Sequence, residues 1–122
     1  MNSSSFRDLR VWQQAIELAV EVYRGTEPFP KYELYGLAQQ MRRAAVSIAS
    51  NIPEGKGRRT NKDFRHFLFN ARGSLLELET QILIADKLEY LSGKQSNDLR
   101  AKATGIGRGL AGLLNSLATS EV

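Results

Sequence analysis

The strongest constraint in this sequence is a spacing. Apolar residues recur every three to four positions in four separate stretches, and none sustains the every-second-residue alternation of a half-buried strand. A chain patterned this way buries its apolar surface helix against helix. The first stretch predicts a helix over about 9–24, opening after Asp8, whose carboxylate can accept from free backbone N–H groups, and closing near Gly25. Trp12, Ile16, Ala19, Val20 and Tyr23 share one face and form its expected core stripe. Glu27-Pro28-Phe29-Pro30 reads as a turn, since each proline disfavours helix in the residue before it. A second helix is expected over about 32–54, with Leu34, Leu37, Met41, Ala45, Ile48 and Ile52 inside. Pro53 removes the hydrogen bond to the Ala49 carbonyl and predicts a kink or an end there.

The third helix is expected over about 62–91, capped by Thr60 or Asn61, and stopped by Ser92-Gly93. Its core stripe is Phe64, Phe67, Leu68, Ala71, Leu75, Leu78, Ile82 and Ala85. The fourth, over about 94–117, carries Leu99, Ala103, Ile106, Leu110, Leu113, Leu114 and Leu117. Short connections between amphipathic helices predict an all-α, antiparallel up-down-up-down four-helix bundle, with residues 1–122 as a single domain.

Two features exceed what one bundle interior needs. On the third helix a second apolar row, Phe69, Leu76 and Leu83, lies beside the core stripe and widens the apolar face to about 200°. On the fourth, Gly105, Gly107, Gly109 and Gly112 each cost about 0.8–1 kcal/mol of helix propensity relative to alanine. Gly105, Gly109 and Gly112 project opposite the leucines. That strip is either a weak, frayed last helix or a bare backbone where a helix of another copy approaches closely. Together the row and the strip predict a homo-oligomer with Phe69, Leu76, Leu83, Gly105, Gly109 and Gly112 at its interface.

Charge is uneven along the chain. Seventeen basic residues against thirteen acidic give +4 overall. Arg42, Arg43, Lys56, Arg58, Arg59, Lys62, Arg65 and Arg72 fall in one segment with only Glu54 and Asp63, so the remainder is slightly acidic. Such a segment either solubilises the fold or attracts polyanions, because each neutralised phosphate releases counterions. These eight residues are the candidate nucleic-acid contacts. Gly55-Lys56-Gly57 lacks the spacing of a phosphate-cradling P-loop and reads instead as a flexible basic loop running to Asn61. Phe64 and Phe67 lie near it but belong to the core stripe, so phosphate contacts are expected to dominate over base readout.

Catalytic hardware is sparse. The single histidine, His66, falls on the polar face beside Asn70, with no orienting carboxylate or nucleophile at helical spacing. Glu77 and Glu79 point to different sides of their helix. Cysteine is absent, which excludes thiolate ligands and cysteine nucleophiles, and no HExxH or EF-hand spacing occurs. No enzymatic activity, metal or cofactor is therefore expected. Apolar runs of only a few residues and an opening MNSSSFRDLR without an apolar core predict a cytoplasmic protein that neither crosses nor binds a membrane.

Several ordered motifs carry a resemblance. Phe6-x-x-Leu9-x-Val11-Trp12-Gln13, Phe29-Pro30-x-x-Glu33-x-Tyr35-Gly36-Leu37, Gln40-Met41-Arg42-Arg43-Ala44-Ala45, Ser47 through Gly55 and Ala71-Arg72-Gly73-Ser74-Leu75-x-Glu77-Leu78-Glu79 resemble the four-helix bundle family encoded in intervening sequences of bacterial 23S rRNA genes. The likeness spans roughly 6–91; the fourth helix matches only in hydrophobic pattern. Where that family commonly reads Ser-Ile-Pro-Ser-Asn-Ile-Ala-Glu-Gly, Ala49 and Pro53 here stand in exchanged places. The resemblance implies a ring-like homo-oligomer, with a pentamer expected. It also includes the accessory variability determinant of diversity-generating retroelements, which works with a reverse transcriptase and binds nucleic acid through a basic surface. That relative points to Arg42, Arg43, Arg58, Arg59 and Arg72 here, Arg42 lying nearest the core edge. The leading expectation is a non-enzymatic oligomer binding RNA or DNA with low sequence specificity. The alternative is an adaptor docking on an acidic protein partner such as a polymerase or reverse transcriptase.

Overall fold

The computed structural model describes residues 5–119, and they form four helices: α1 (Arg10–Thr26), α2 (Leu37–Lys56), α3 (Asn61–Lys87) and α4 (Gly93–Thr119). Short 3-10 turns at Phe6–Asp8 and Lys31–Glu33 precede α1 and α2. α1 packs on α2 and α4, and α3 packs on the same two, so α1 and α3 are diagonal in an antiparallel four-helix bundle. Among the described residues no helix is long and apolar enough to cross a membrane.

Each helix end has a local cause. α1 starts at Arg10 with Leu9 at its N-cap and no side-chain cap, because Asp8 is taken up in the preceding turn. α2 starts at Leu37, five residues later than the periodicity suggests. Gly36 leaves helical geometry (φ −116°, ψ −118°), and the Glu33 carboxylate accepts the Leu37 N–H at 3.0 Å, supplying the cap a turn away. Pro53 does not end α2, which runs on to Lys56. The proline removes one backbone bond, the one to the Ala49 carbonyl, and the last turn is kept by the Gly57 N–H, which donates to the Pro53 carbonyl at 3.0 Å.

α3 opens as expected, with Thr60 Oγ1 accepting the Asp63 N–H at 3.1 Å. It closes at Lys87 rather than 91. Glu89 adopts a left-handed backbone (φ 63°), and the Glu89 and Tyr90 N–H groups bond back to Asp86 and Ala85 carbonyls at 2.9 Å, a Schellman ending. Ser92 and Gln95 then cap α4 reciprocally: Gln95 N–H donates to Ser92 Oγ, and Ser92 N–H to Gln95 Oε1.

The core follows the expected stripes of α3 and α4, with Phe67, Leu113 and Leu117 only partly buried. In α2, Met41, Ala45, Ile48 and Ile52 are buried, while Leu34 is about half exposed before the helix begins. α1 differs. Its buried residues are Val11, Ala15, Leu18, Val22 and Thr26, whereas Ile16, Val20 and Tyr23 of the expected stripe lie outside. Both sets have helical spacing; the packing of α4 selects between them. Gly109 approaches α1 so closely that a Cβ there would sit 2.9 Å from Val11 Cγ2. The bulkier set is shielded at its ends instead, Trp12 edge-on to Phe6 and Tyr23 beneath the Arg42 guanidinium.

The glycines of α4 are likewise reassigned. Gly109 and Gly105 face α1 of the same chain, Gly105 toward Gln14, and Gly107 faces Leu75 of α3. Of the expected intersubunit strip, only Gly112 has open space where a side chain would stand. Small residues here let the chain's own helices close together.

Candidate nucleic-acid interface

The α2–α3 connection is built by a close approach. Gly55 is buried in the last turn of α2, and a Cβ on it would meet Phe64 Cδ1 and Phe67 Cβ, both at 2.8 Å. Its role is therefore to let α2 and α3 meet, rather than to loosen the loop. Gly57, at φ −80°, has an ordinary backbone that any residue can adopt. The reversal that follows holds Arg58, Arg59 and Lys62 on the exterior, with Lys56 half-buried beside them. Arg58 folds back, pairing with Glu54 at 3.1 Å and lying 4.6 Å over the Phe67 ring. One acid of the segment is thus spent on one of its cations.

Farther along α3, Arg65 and Arg72 flank Phe69, their guanidinium carbons 5.7 and 5.2 Å from its ring centroid. These three residues sit at i, i+4 and i+7, one outward face of the helix. Phe69, Leu76 and Leu83 are 43%, 57% and 42% exposed, as their position beside the core stripe predicts.

Two candidate residues lie elsewhere. Arg42 belongs to the opposite end of the bundle, where its Nε donates to Thr26 Oγ1 at 2.8 Å and its Nη2 to the Tyr23 carbonyl at 3.3 Å. It ties α2 to the last turn of α1 and serves the fold. Arg43 is exposed, but it borders a polar groove between α2 and α3 with Gln40, Ser47, Ser74 and Glu77. The Ser47 and Ser74 hydroxyls share a hydrogen bond of 2.9 Å across that groove, the polar residues of α2 thus being used at a bundle edge.

Packing brings in cations that the linear segment does not contain. The Ser47–Ser74 bond, Gly107 against Leu75 and Gly109 against Val11 mark one level where all four helices pass. On the loop side of it, residues 5–12, 48–73 and 108–119 hold nine basic side chains and three acidic ones. The other side, with eight basic and nine acidic, is nearly neutral. Arg7, Arg10 and Arg108 join the basic half only because antiparallel packing returns the start of α1 and the second half of α4 to the same end. No local pattern marks them. Among the described residues no cluster of three or more His, Asp or Glu could hold a metal, and His66 lies exposed with its ring edge-on to Phe67.

Comparison with known proteins adds the lineage. The sequence profile of the 23S rRNA-intervening sequence protein family matches residues 7–112. The chain belongs to that family. The match includes most of α4, so the helix with the weakest motif resemblance is part of the family's pattern too. A solved member of the S23 ribosomal protein family from Bacteroides thetaiotaomicron, a protein of unknown function, superposes with a TM-score of 0.77 at 22% identity, covering 85% of this chain and 97% of its own. At that identity the likeness speaks for the fold alone. No curated protein matches the sequence.

Proposed function

We propose that this family member is a non-enzymatic homo-oligomer whose basic half binds RNA or DNA through backbone phosphates, with little sequence preference. The observation that carries the reading is the charge segregation: nine cations against three acids on one half, and near balance on the other. Such a field steers polyanions toward one end of the molecule. Lys56, Arg58, Arg59, Lys62, Arg65 and Arg72 supply the contacts. Six phosphate contacts give a log K against log[salt] slope of about −4 for single strands and about −5 for duplex.

Self-association uses apolar surface that the bundle leaves outside. Leu76 and Leu83 continue into Ile84 and Leu88 on α3, while Ile16, Val20 and Tyr23 line α1. Because α1 and α3 are diagonal, these patches point to different sides. Contacts between unlike patches are head-to-tail and close into a ring where the rotation per subunit divides a full turn; a pentamer is the size the family resemblance favours.

The test is retention of labelled RNA across a salt series, with Arg58→Glu/Arg59→Glu beside the parent. Binding should fall steeply with salt and vanish in the double variant, while the helical circular-dichroism signal is unchanged. Undiminished binding in that variant overturns the site assignment. Recovery from the native host with one stoichiometric acidic protein and no nucleic acid would favour the adaptor instead. A monomer by sedimentation at micromolar concentration refutes the assembly.

A further inference from the structure

Phe69 is out of place as a simple hydrophobic contact. The residue is 43% exposed, a third of the way along α3 in the basic half, with a guanidinium to either side at 5.7 and 5.2 Å from its ring centroid. The ring's negative face attracts those cations, so the three side chains form one unit. Covering that unit with an apolar partner would strip water from the exposed Arg72 guanidinium, which is costly unless an anion replaces the water. Leu76 and Leu83, farther along the same row, have no aromatic–cation contact of this kind among the described residues. The row therefore divides: its leucines suit a protein neighbour, and its aromatic end suits a ligand that is both flat and anionic.

A single-stranded nucleic acid has that chemistry, a π face with a phosphate on either side. Arg65 and Arg72 leave the helix about 10 Å apart along its axis, given a rise of 1.5 Å per residue. That is long enough to hold the phosphates flanking one nucleotide, the guanidinium groups swinging from the ring to the phosphates as the base takes their place over Phe69. Lys62, one turn before Arg65 on the same face, lies in the path of the strand toward the Arg58–Arg59 loop. A duplex keeps its bases stacked on one another and has no free face to offer. Aromatic platforms set in a basic track are the general device for holding unpaired strands.

We propose that Phe69 is a stacking platform for an unpaired base, with Arg65 and Arg72 neutralising the flanking phosphates, so that the basic half selects single strands over duplex. This rests on the nucleic-acid reading above and makes it narrower: base stacking joins phosphate contact.

Fluorescence anisotropy tests it with three labelled probes of equal length: a single-stranded RNA, an abasic strand with the same phosphates, and an RNA duplex. The parent should bind the single strand about 5- to 150-fold more tightly than the abasic one, the span of one stacked base. Phe69→Leu should lose that advantage while its affinity for the abasic and duplex probes is unchanged. Phe69→Trp should keep the advantage, with indole fluorescence quenched on binding. Equal parental affinity for the single-stranded and abasic probes, or equal losses on all probes in Phe69→Leu, overturns the stacking role and leaves the phosphate reading standing. A parent that binds none of the three overturns both. A lowered sedimentation coefficient in Phe69→Leu assigns the ring to a subunit contact and likewise overturns the proposal.

Discussion

Two glycines three residues apart on α4 should respond oppositely to the same substitution. Alanine at either position gains about 0.8–1 kcal/mol of helix propensity. At Gly112 nothing lies within 4 Å of the new Cβ, so the gain is kept in full. At Gly109 the Cβ would meet Val11 Cγ2 at 2.9 Å and Val11 Cβ at 3.0 Å, well inside the roughly 3.5–4.0 Å of a relaxed carbon contact. Val11 is buried, and a β-branched side chain in a helix has one strongly preferred rotamer, so it cannot swing aside. α1 and α4 must part by about half an ångström, and overpacking of this kind costs about 1–3 kcal/mol. The net for Gly109→Ala is a loss of about 1 kcal/mol, so the two variants should differ by about 2. For a chain of this size each kcal/mol moves Tm by about 3–6 °C. Thermal melts followed at 222 nm, at one fixed protein concentration, should show Gly112→Ala above the parent and Gly109→Ala below it. Val11→Ala, which removes the closer contact, should recover part of the Gly109→Ala penalty. Equal upward shifts in both variants would refute the α1–α4 approach and return Gly109 to the outer surface.

Other consequences follow from named contacts. Arg42→Ala should cost about 1–2 kcal/mol in urea unfolding, since it removes two hydrogen bonds from a charged donor to Thr26 Oγ1 and the Tyr23 carbonyl, yet leave nucleic-acid retention unchanged; lysine there should rescue little, lacking the planar fork. Glu89→Gly should stabilise the protein by about 0.5–1 kcal/mol, because the left-handed backbone at that position suits glycine, and an unchanged Tm would count against the Schellman ending. The Tyr90 phenol is held above the ordinary tyrosine value by its hydrogen bond with Tyr32, by desolvation and by the nearby Glu33 carboxylate. A raised folded pKa favours the protonated phenol, so its contribution is complete below about pH 10 and is lost as pH climbs above that. Alkaline melts should therefore show a decline above about pH 10 that is weaker in Tyr90→Phe.

Three of the four core stripes were legible because helical periodicity is local: Phe64, Leu68, Ala71, Leu75, Leu78, Ile82 and Ala85 need no partner to declare their common face. The start of α2 was not legible, because its cap is a carboxylate four residues upstream, reached only after a 3-10 turn folds Glu33 back. The end of α3 was missed for a related reason: Leu88 and Leu91 continue the apolar pattern, while Glu89 turns the backbone left-handed. Of the candidate site, the loop cations Lys56, Arg58, Arg59 and Lys62 come together as their adjacency implies. Arg42 was misplaced because a basic residue next to the core reads the same in sequence whether it caps a neighbouring helix or faces solvent.

Taken alone, the sequence determined the helical class, the four segments and the inner faces of α2, α3 and α4, since a 3.6-residue period is a property of each segment by itself. Tertiary structure alone decided three further matters. It chose Val11, Ala15, Leu18 and Val22 over the equally periodic outer face of α1, turned Gly109 inward, and gathered Arg7, Arg10 and Arg108 with the loop cations. Each of these depends on how a helix is rotated and which end of its neighbour it meets. Those quantities are set between helices, by close approach and antiparallel direction.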